Sequence, residues 1–158
     1  MPAAIPVTSV ADARALLGRE LGPSPWLRLE QAAIDAFAEA TRDHQWIHVD
    51  VERARAGPYA GTIAHGWLVL GLAPAMAREI LDLGGLESSV NYGCDRVRFP
   101  SPAHAGCRLR LWLRIAAVDP VPGGCRVGLG YRMEREGSER PVCVAQAISQ
   151  WRFREPAL

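Results

Sequence analysis

A chain of 158 residues and 17.2 kDa accommodates one domain, residues 1–158, and leaves little room for a second. Its hydrophobic content of 49% excludes a disordered chain, and a formal charge of +1 offers no basic stripe for nucleic acid. Every basic residue is an arginine, which excludes Schiff-base and lysine-nucleophile chemistry but leaves bidentate phosphate contacts open.

The amino-terminal run Met1-Pro2-Ala3-Ala4-Ile5-Pro6 lacks the basic region and apolar core of a signal peptide. Ser9 and Asp12 read as a capping box, the hydroxyl accepting a helix N–H and the acid bonding back to the cap. They open a short helix through Leu16 and Leu17 toward Glu20, stopped by Gly22-Pro23-Ser24-Pro25. Trp26 to Leu29 reads as a short extended piece. Ile34, Phe37, Ala38 and Thr41 then fall at i, i+3, i+4 and i+7, the stripe of an amphipathic helix. Its start is poorly marked, since Glu30 is a weak cap, and Arg42-Asp43 closes it. A third helix spans Val51 to Ala56, capped by Asp50 and ended by Gly57-Pro58.

The fourth helix, Gly66 to about Leu81, is apolar on nearly every side from Trp67 to Ala77, which implies enclosure by the rest of the fold. Pro74 removes one of its backbone hydrogen bonds and should bend it. This longest apolar stretch is too short to span a bilayer, so no membrane partner is expected.

After the helices the period changes to two. Leu109, Leu111, Leu113 and Ile115 alternate with Arg108, Arg110, Trp112 and Arg114; Cys125, Val127, Leu129, Tyr131 and Met133 do the same beyond a turn at Pro120 to Gly124. A third strand runs from Pro141 to Phe153, with Cys143, Ala145, Ala147 and Ser149 forming a small-residue face suited to wrapping closely around a helix. Ser88 to Phe99 is a further strand with less regular alternation. Helices followed by antiparallel strands make the class α+β, with sheet edges that a second subunit would cover. Cys94, Cys107, Cys125 and Cys143 contain no CxxC pair and no zinc-finger spacing, so free thiols in a reducing, cytoplasmic compartment are expected and no metal.

Three of the four histidines, His44, His48 and His65, fall within 22 residues. Asp43 and His48 lie five residues apart between two helices. In a helix that spacing aligns them poorly, but in a loop both can converge on one water and move its proton. The same residues also suit a turn-ending aspartate and a packed, hydrogen-bonded histidine. Ile63-Ala64-His65-Gly66 is equally two-sided. Gly66 is either a tight backbone junction or a helix-start N–H aimed at an oxyanion, and His65 either fixes the loop or meets the ligand.

Asp-His-Gln-Trp-Ile-His-Val-Asp at 43–50 and Gly-Thr-Ile-Ala-His-Gly at 61–66, separated by the charged segment Val51 to Arg55, resemble the MaoC-like dehydratases and especially their nodulation-protein-N-like branch. The likeness continues through Val90-Asn91-Tyr92-Gly93 and Arg96-Val97-Arg98-Phe99-Pro100 and covers about Val10 to Phe153. It implies a hotdog fold, an antiparallel sheet wrapped around one long central helix, assembled as a homodimer. It also implies (R)-specific hydration of a trans-2-enoyl thioester. Asp43 and His48 fall on the family's catalytic acid and histidine, and Gly66 on its oxyanion-binding amide. Gln45 and Trp46 stand where many relatives carry Asn-Pro, which bears on the acyl substrate more than on the chemistry. Gln45, His65 and Asn91 are expected around the substrate.

The carrier would be coenzyme A, or acyl carrier protein, as part of the substrate, with no separate cofactor or metal. Arg96 and Arg98 are candidates for the coenzyme A phosphates, and equally for a solvated strand face. A hotdog thioesterase and a non-catalytic acyl-thioester-binding dimer are the competing readings.

Overall fold

The computed structural model describes Ala3 to Arg154; Met1 and Pro2 of the amino-terminal run lie outside the described residues. Four long strands form the body: β5 (Leu86–Arg98), β6 (Arg108–Val121), β7 (Gly124–Arg135) and β8 (Cys143–Phe153). They are preceded by β1 (Ile5–Pro6), α1 (Val10–Ala15), β2 (Glu20–Leu21), β3 (Leu27–Arg28), α2 (Gln31–Thr41), α3 (Trp46–Val49), α4 (Val51–Arg55), α5 (Gly66–Arg78) and β4 (Leu81–Asp82). The main sheet runs β2-β6-β7-β8-β5, with β3 also pairing β6, and all its pairings are antiparallel. β1 and β4 form a separate parallel pair. With α5 against the inner face of the sheet, this is the α+β hotdog architecture that the resemblance implies.

Period-two patterning sets the inner face. Leu109, Leu111, Leu113 and Ile115 on β6 are essentially fully buried, as are Cys125, Val127 and Met133 on β7. Each buried leucine of this kind stabilises the fold by about 1.5–3 kcal/mol. A register shift between Ile115 and Ala117 moves the inward positions from odd to even numbers, so Val118 is the next buried residue. On β8 the inward Cys143, Ala145 and Ser149 are buried, which lets the sheet approach α5 closely.

Local signals act where the chemistry demands. The Ser9 hydroxyl accepts the Asp12 N–H at 3.1 Å, but the Asp12 carboxylate takes the N–H and hydroxyl of Thr8, not the N–H of Ser9. The expected box is therefore displaced by one residue at its acidic half. α1 stops at Ala15 instead of continuing toward Glu20, and Gly18 turns the chain at φ +76°. Glu30 makes no side-chain cap to α2, while the Asp50 side chain accepts from the Arg53 N–H and caps α4.

The larger departure is at α5. Its apolar circumference suggested enclosure on all sides, yet only Val69, Ala73, Met76 and Ala77 are buried. Trp67 is 65% exposed, and Gly71 and Ala75 are exposed on the same helical face. The sheet covers one side of α5, and among the described residues nothing covers the exposed face of Trp67, Gly71 and Ala75. Pro74 lies inside α5 without ending it. Among the described residues no helix is long and apolar enough to cross a membrane.

Candidate active site

Arg42 takes the left-handed conformation at φ 62° and turns the chain out of α2. The segment that follows is not an open loop. Trp46 to Val49 close into a single helical turn, with the Gln45 carbonyl accepting the His48 N–H at 2.9 Å. That turn carries the His48 side chain inward to 7% exposure.

His48 is held at one nitrogen. Its Nδ1 lies 2.6 Å from the Ile63 carbonyl, which can only accept, so Nδ1 carries the hydrogen and the Nε2 lone pair remains for chemistry. The Ile63 N–H in turn donates to Ile47 at 3.0 Å. Gln31 ties the two sides together. Its amide nitrogen donates to the His48 carbonyl and to Asp35, both at 2.8 Å, and its oxygen accepts from the Thr62 hydroxyl at 2.5 Å.

His65 stands behind His48. The two rings stack at 3.7 Å with an interplanar angle of 24°, and Phe37 tilts against His65 at 4.9 Å. His65 Nε2 donates to the Asp43 carbonyl at 2.9 Å and lies 3.9 Å from the Asp43 carboxylate. Its Nδ1 is buried without a partner among the described residues. The Asp43 side chain is 55% exposed, yet its carboxylate and the nitrogens of His48 and His65 lie within 4.8 Å of one another. Burial pushes the His48 pKa below its ordinary value, and nearby His65 adds to that. The Ile63 hydrogen bond and the Asp43 charge oppose it. His48 is thus a neutral imidazole near pH 7.

These three side chains do not make a good cation site. Stacked rings direct their in-plane lone pairs side by side instead of toward one point. A zinc ion needs ligands converging at about 2.0–2.1 Å.

Gly66 opens α5, so its N–H has no intrahelical acceptor, and it makes no other backbone bond among the described residues. The positive end of the helix adds to that donor. The Phe99 ring presses on the α-carbon: a methyl group there would lie 2.6 Å from the ring. His48, Gly66, Tyr59, Phe99 and Pro102 line one cavity of about 380 Å³. A neutral imidazole and a helix-start residue therefore border the same space, with the carboxylate of Asp43 next to the imidazole.

The other residues expected around the substrate lie elsewhere. The Gln45 side chain is exposed and caps nothing. His65 is 4% exposed and braces Asp43 and His48 without lining the cavity. Asn91 lines a second cavity, beside α5. Arg96 and Arg98 are exposed on β5, where Arg98 donates to the Val97 carbonyl. Gln31 and Tyr59 carry no local sequence signal and escaped the sequence reading; Thr62 and Ile63 stood inside the 61–66 motif, but their bonds to Gln31 and His48 were not foreseen. Phe99 stood inside a motif already singled out, but its contact with Gly66 is a tertiary fact.

Comparison with known proteins identifies the family and the fold. Residues 12–122 match the model of the MaoC like domain. The chain is 41% identical over 144 residues to 3-hydroxyacyl-thioester dehydratase Z of Mycobacterium tuberculosis, covering 90% of this chain and 95% of that protein. It is 47% identical over 154 residues to nodulation protein N of Rhizobium leguminosarum bv. viciae, covering 92% of each. The crystal structure of a MaoC-like dehydratase from Rhodospirillum rubrum superposes with a TM-score of 0.70 at 26% identity, over 89% of this chain and 94% of that one.

Proposed function

The chain belongs to the MaoC-like dehydratase family and is an enoyl-CoA hydratase, and we propose that Asp43, His48 and Gly66 carry its reversible addition of water to a trans-2-enoyl thioester. The observation that carries this assignment is the shared cavity of His48 and Gly66. The thioester carbonyl accepts the Gly66 N–H, which draws electron density from the double bond and stabilises the enolate as it forms. Asp43 and His48 hold the water. Its oxygen bonds to C3, His48 Nε2 takes the proton released, and the same imidazolium returns a proton to C2. One water is consumed, and the product is an (R)-3-hydroxyacyl thioester. No redox step enters, and coenzyme A is the carrier within the substrate, with Arg96 and Arg98 exposed for its phosphates.

Assembly as a homodimer fits the open edge of β5 and the uncovered face of α5. An exposed edge strand is a template for another chain, and Val90 and Tyr92 there are 56% and 55% exposed. Light scattering at micromolar concentration should give about twice the 17.2 kDa chain mass; a monomer would remove this interface. The free thiols Cys94, Cys107, Cys125 and Cys143 suit a cytoplasmic setting.

The direct test is loss of enoyl-thioester absorbance on hydration of crotonyl-CoA. His48→Gln and Asp43→Asn should each lower kcat by about 10²–10⁴-fold, the scale of a positioned acid or base. Undiminished turnover in either variant would remove that residue from the mechanism. Release of free thiol from a saturated acyl-CoA at a comparable rate would shift the chemistry to thioester hydrolysis.

A further inference from the structure

The second cavity, of about 480 Å³, lies between α5 and strands β5 and β8. Its walls are largely apolar, with Trp67, Leu70 and Pro74 on the helix and Ala147 and Ile148 on β8. Trp67 stands between the two cavities: it lines this one, and its ring meets Phe99 of the first edge-on at 6.0 Å. Trp67 is thus the side chain an acyl chain would pass between Gly66 and this space.

Tyr131 breaks the apolar lining. The alternation of β7 turns it inward beside Leu129 and Met133, at 7% exposure. Its hydroxyl makes no hydrogen bond to any described residue, and burial, with a smaller push from the nearby Cys94, holds its pKa far above the ordinary tyrosine value. The phenol thus stays protonated as a donor. The residue is buried but its hydroxyl borders the cavity, so the partner it takes in place of a protein group comes from that space. The other hydroxyl in the wall has partners: Ser149 donates to the Val90 carbonyl at 3.2 Å and lies 3.1 Å from the Ser89 hydroxyl. Asn91 lines the same cavity from β5, so its amide is a second polar group there.

The level of Tyr131 along α5 locates the missing partner. It shares the cavity with Leu70 and Pro74, four and eight residues beyond Gly66, or about 6–12 Å along the helix axis. That distance reaches the tail of an acyl chain and lies well beyond the reacting double bond. Building on the hydratase reading above, we propose that Tyr131 determines acyl specificity, and that the enzyme takes enoyl thioesters whose tails carry a hydroxyl or keto oxygen bonded by Tyr131, with Asn91 beside it. Pairing of a second copy at the β5 edge would close the open side of this groove.

The test compares trans-2-octenoyl-CoA with its 7-oxo counterpart, a pair that differs in one tail oxygen. In the parent enzyme kcat/KM should favour the 7-oxo substrate by roughly tenfold, the effect of one neutral hydrogen bond. Tyr131→Phe should lower the value for the 7-oxo substrate and raise that for the plain chain, so that the preference disappears or reverses. A parent that prefers the plain chain or treats the two alike overturns the tail assignment and leaves the hydratase reading standing. A preference that survives in Tyr131→Phe overturns the role of Tyr131. A parent that hydrates neither substrate, nor crotonyl-CoA, overturns the hydratase reading and this inference together. The parent comparison stands independently of whether the variant folds.

Discussion

The sheet at residues 108–135 and the site at residues 31–66 hold their shapes by different means. In β6 and β7 the inward leucines, isoleucine and valines are fully buried, and the register between the strands is shifted once over their length. Their outward residues brace one another: Arg110 bonds Glu134 at 2.8 Å and lies over Trp26 at 4.6 Å, and Arg132 lies over Trp112 at 5.2 Å. The site is held by single polar bonds instead, from Gln31 to His48 and Thr62, from His48 to Ile63, and from His65 to Asp43. Apolar packing is non-directional and shared among many neighbours, whereas a hydrogen bond fixes one atom in one place. The sheet therefore supplies most of the stability, and the site converts a small part of it into atomic positions.

A matched pair of substitutions is the strongest way to break that contrast. Leu113→Ala, in the middle of β6, should destabilise the protein by about 2–5 kcal/mol through lost burial and a residual cavity, while kcat of the folded enzyme changes little. Gln31→Ala should do the reverse. It leaves the His48 carbonyl and the Thr62 hydroxyl without their partner, for about 1 kcal/mol of stability. Yet it should lower kcat by roughly tenfold or more, because small displacements of a catalytic group are expensive. Denaturant midpoints and crotonyl-CoA turnover, measured on both variants, give the four numbers. If Gln31→Ala loses only stability, the polar bonds are ordinary scaffold and the contrast fails.

The same contrast explains what could be read from the sequence. The strands were legible because burial on one face writes a period of two, and Leu109 to Ile115 shows it without interruption. β5 was harder to read, since it is an edge strand with three register shifts against β8 and only Leu86 buried. The caps at Ser9 and Asp50 were legible because they act within three residues. α3, with four residues, is too short for periodicity to register and was read as loop. The motif around Asp43 and His48 was recognised, but the stacking of His65 on His48 joins residues 17 apart and leaves no local trace. The open face of α5 was misread because an apolar surface looks the same whether its own chain covers it or not. Gln31 drew no notice, because its partners Thr62 and the His48 carbonyl lie 31 and 17 residues away.

The smallest expected effect is also the most specific to the site. Burial is the main cause that lowers the His48 pKa, and the base must be neutral to accept a proton. The acidic limb of kcat/KM should accordingly fall below pH 6.5, the ordinary histidine value, and activity should persist at pH values where a solvated imidazole is already charged. The charges beside His48 give the limb its direction of movement. His65 lowers the His48 pKa and Asp43 raises it, so His65→Gln should move the limb of the remaining activity upward and Asp43→Asn should move it downward. Stability follows the same proton. As pH falls through 6.5, the unfolded chain protonates His48 before the folded one does, so the folded state loses stability from that pH down to the lowered folded value and no further. Because Nδ1 carries its hydrogen to Ile63, the proton that stops activity adds at Nε2. A limb at or above 6.5 that ignores both substitutions would mean that His48 is not the titrating base, and the packed pair of histidines would then belong to the scaffold.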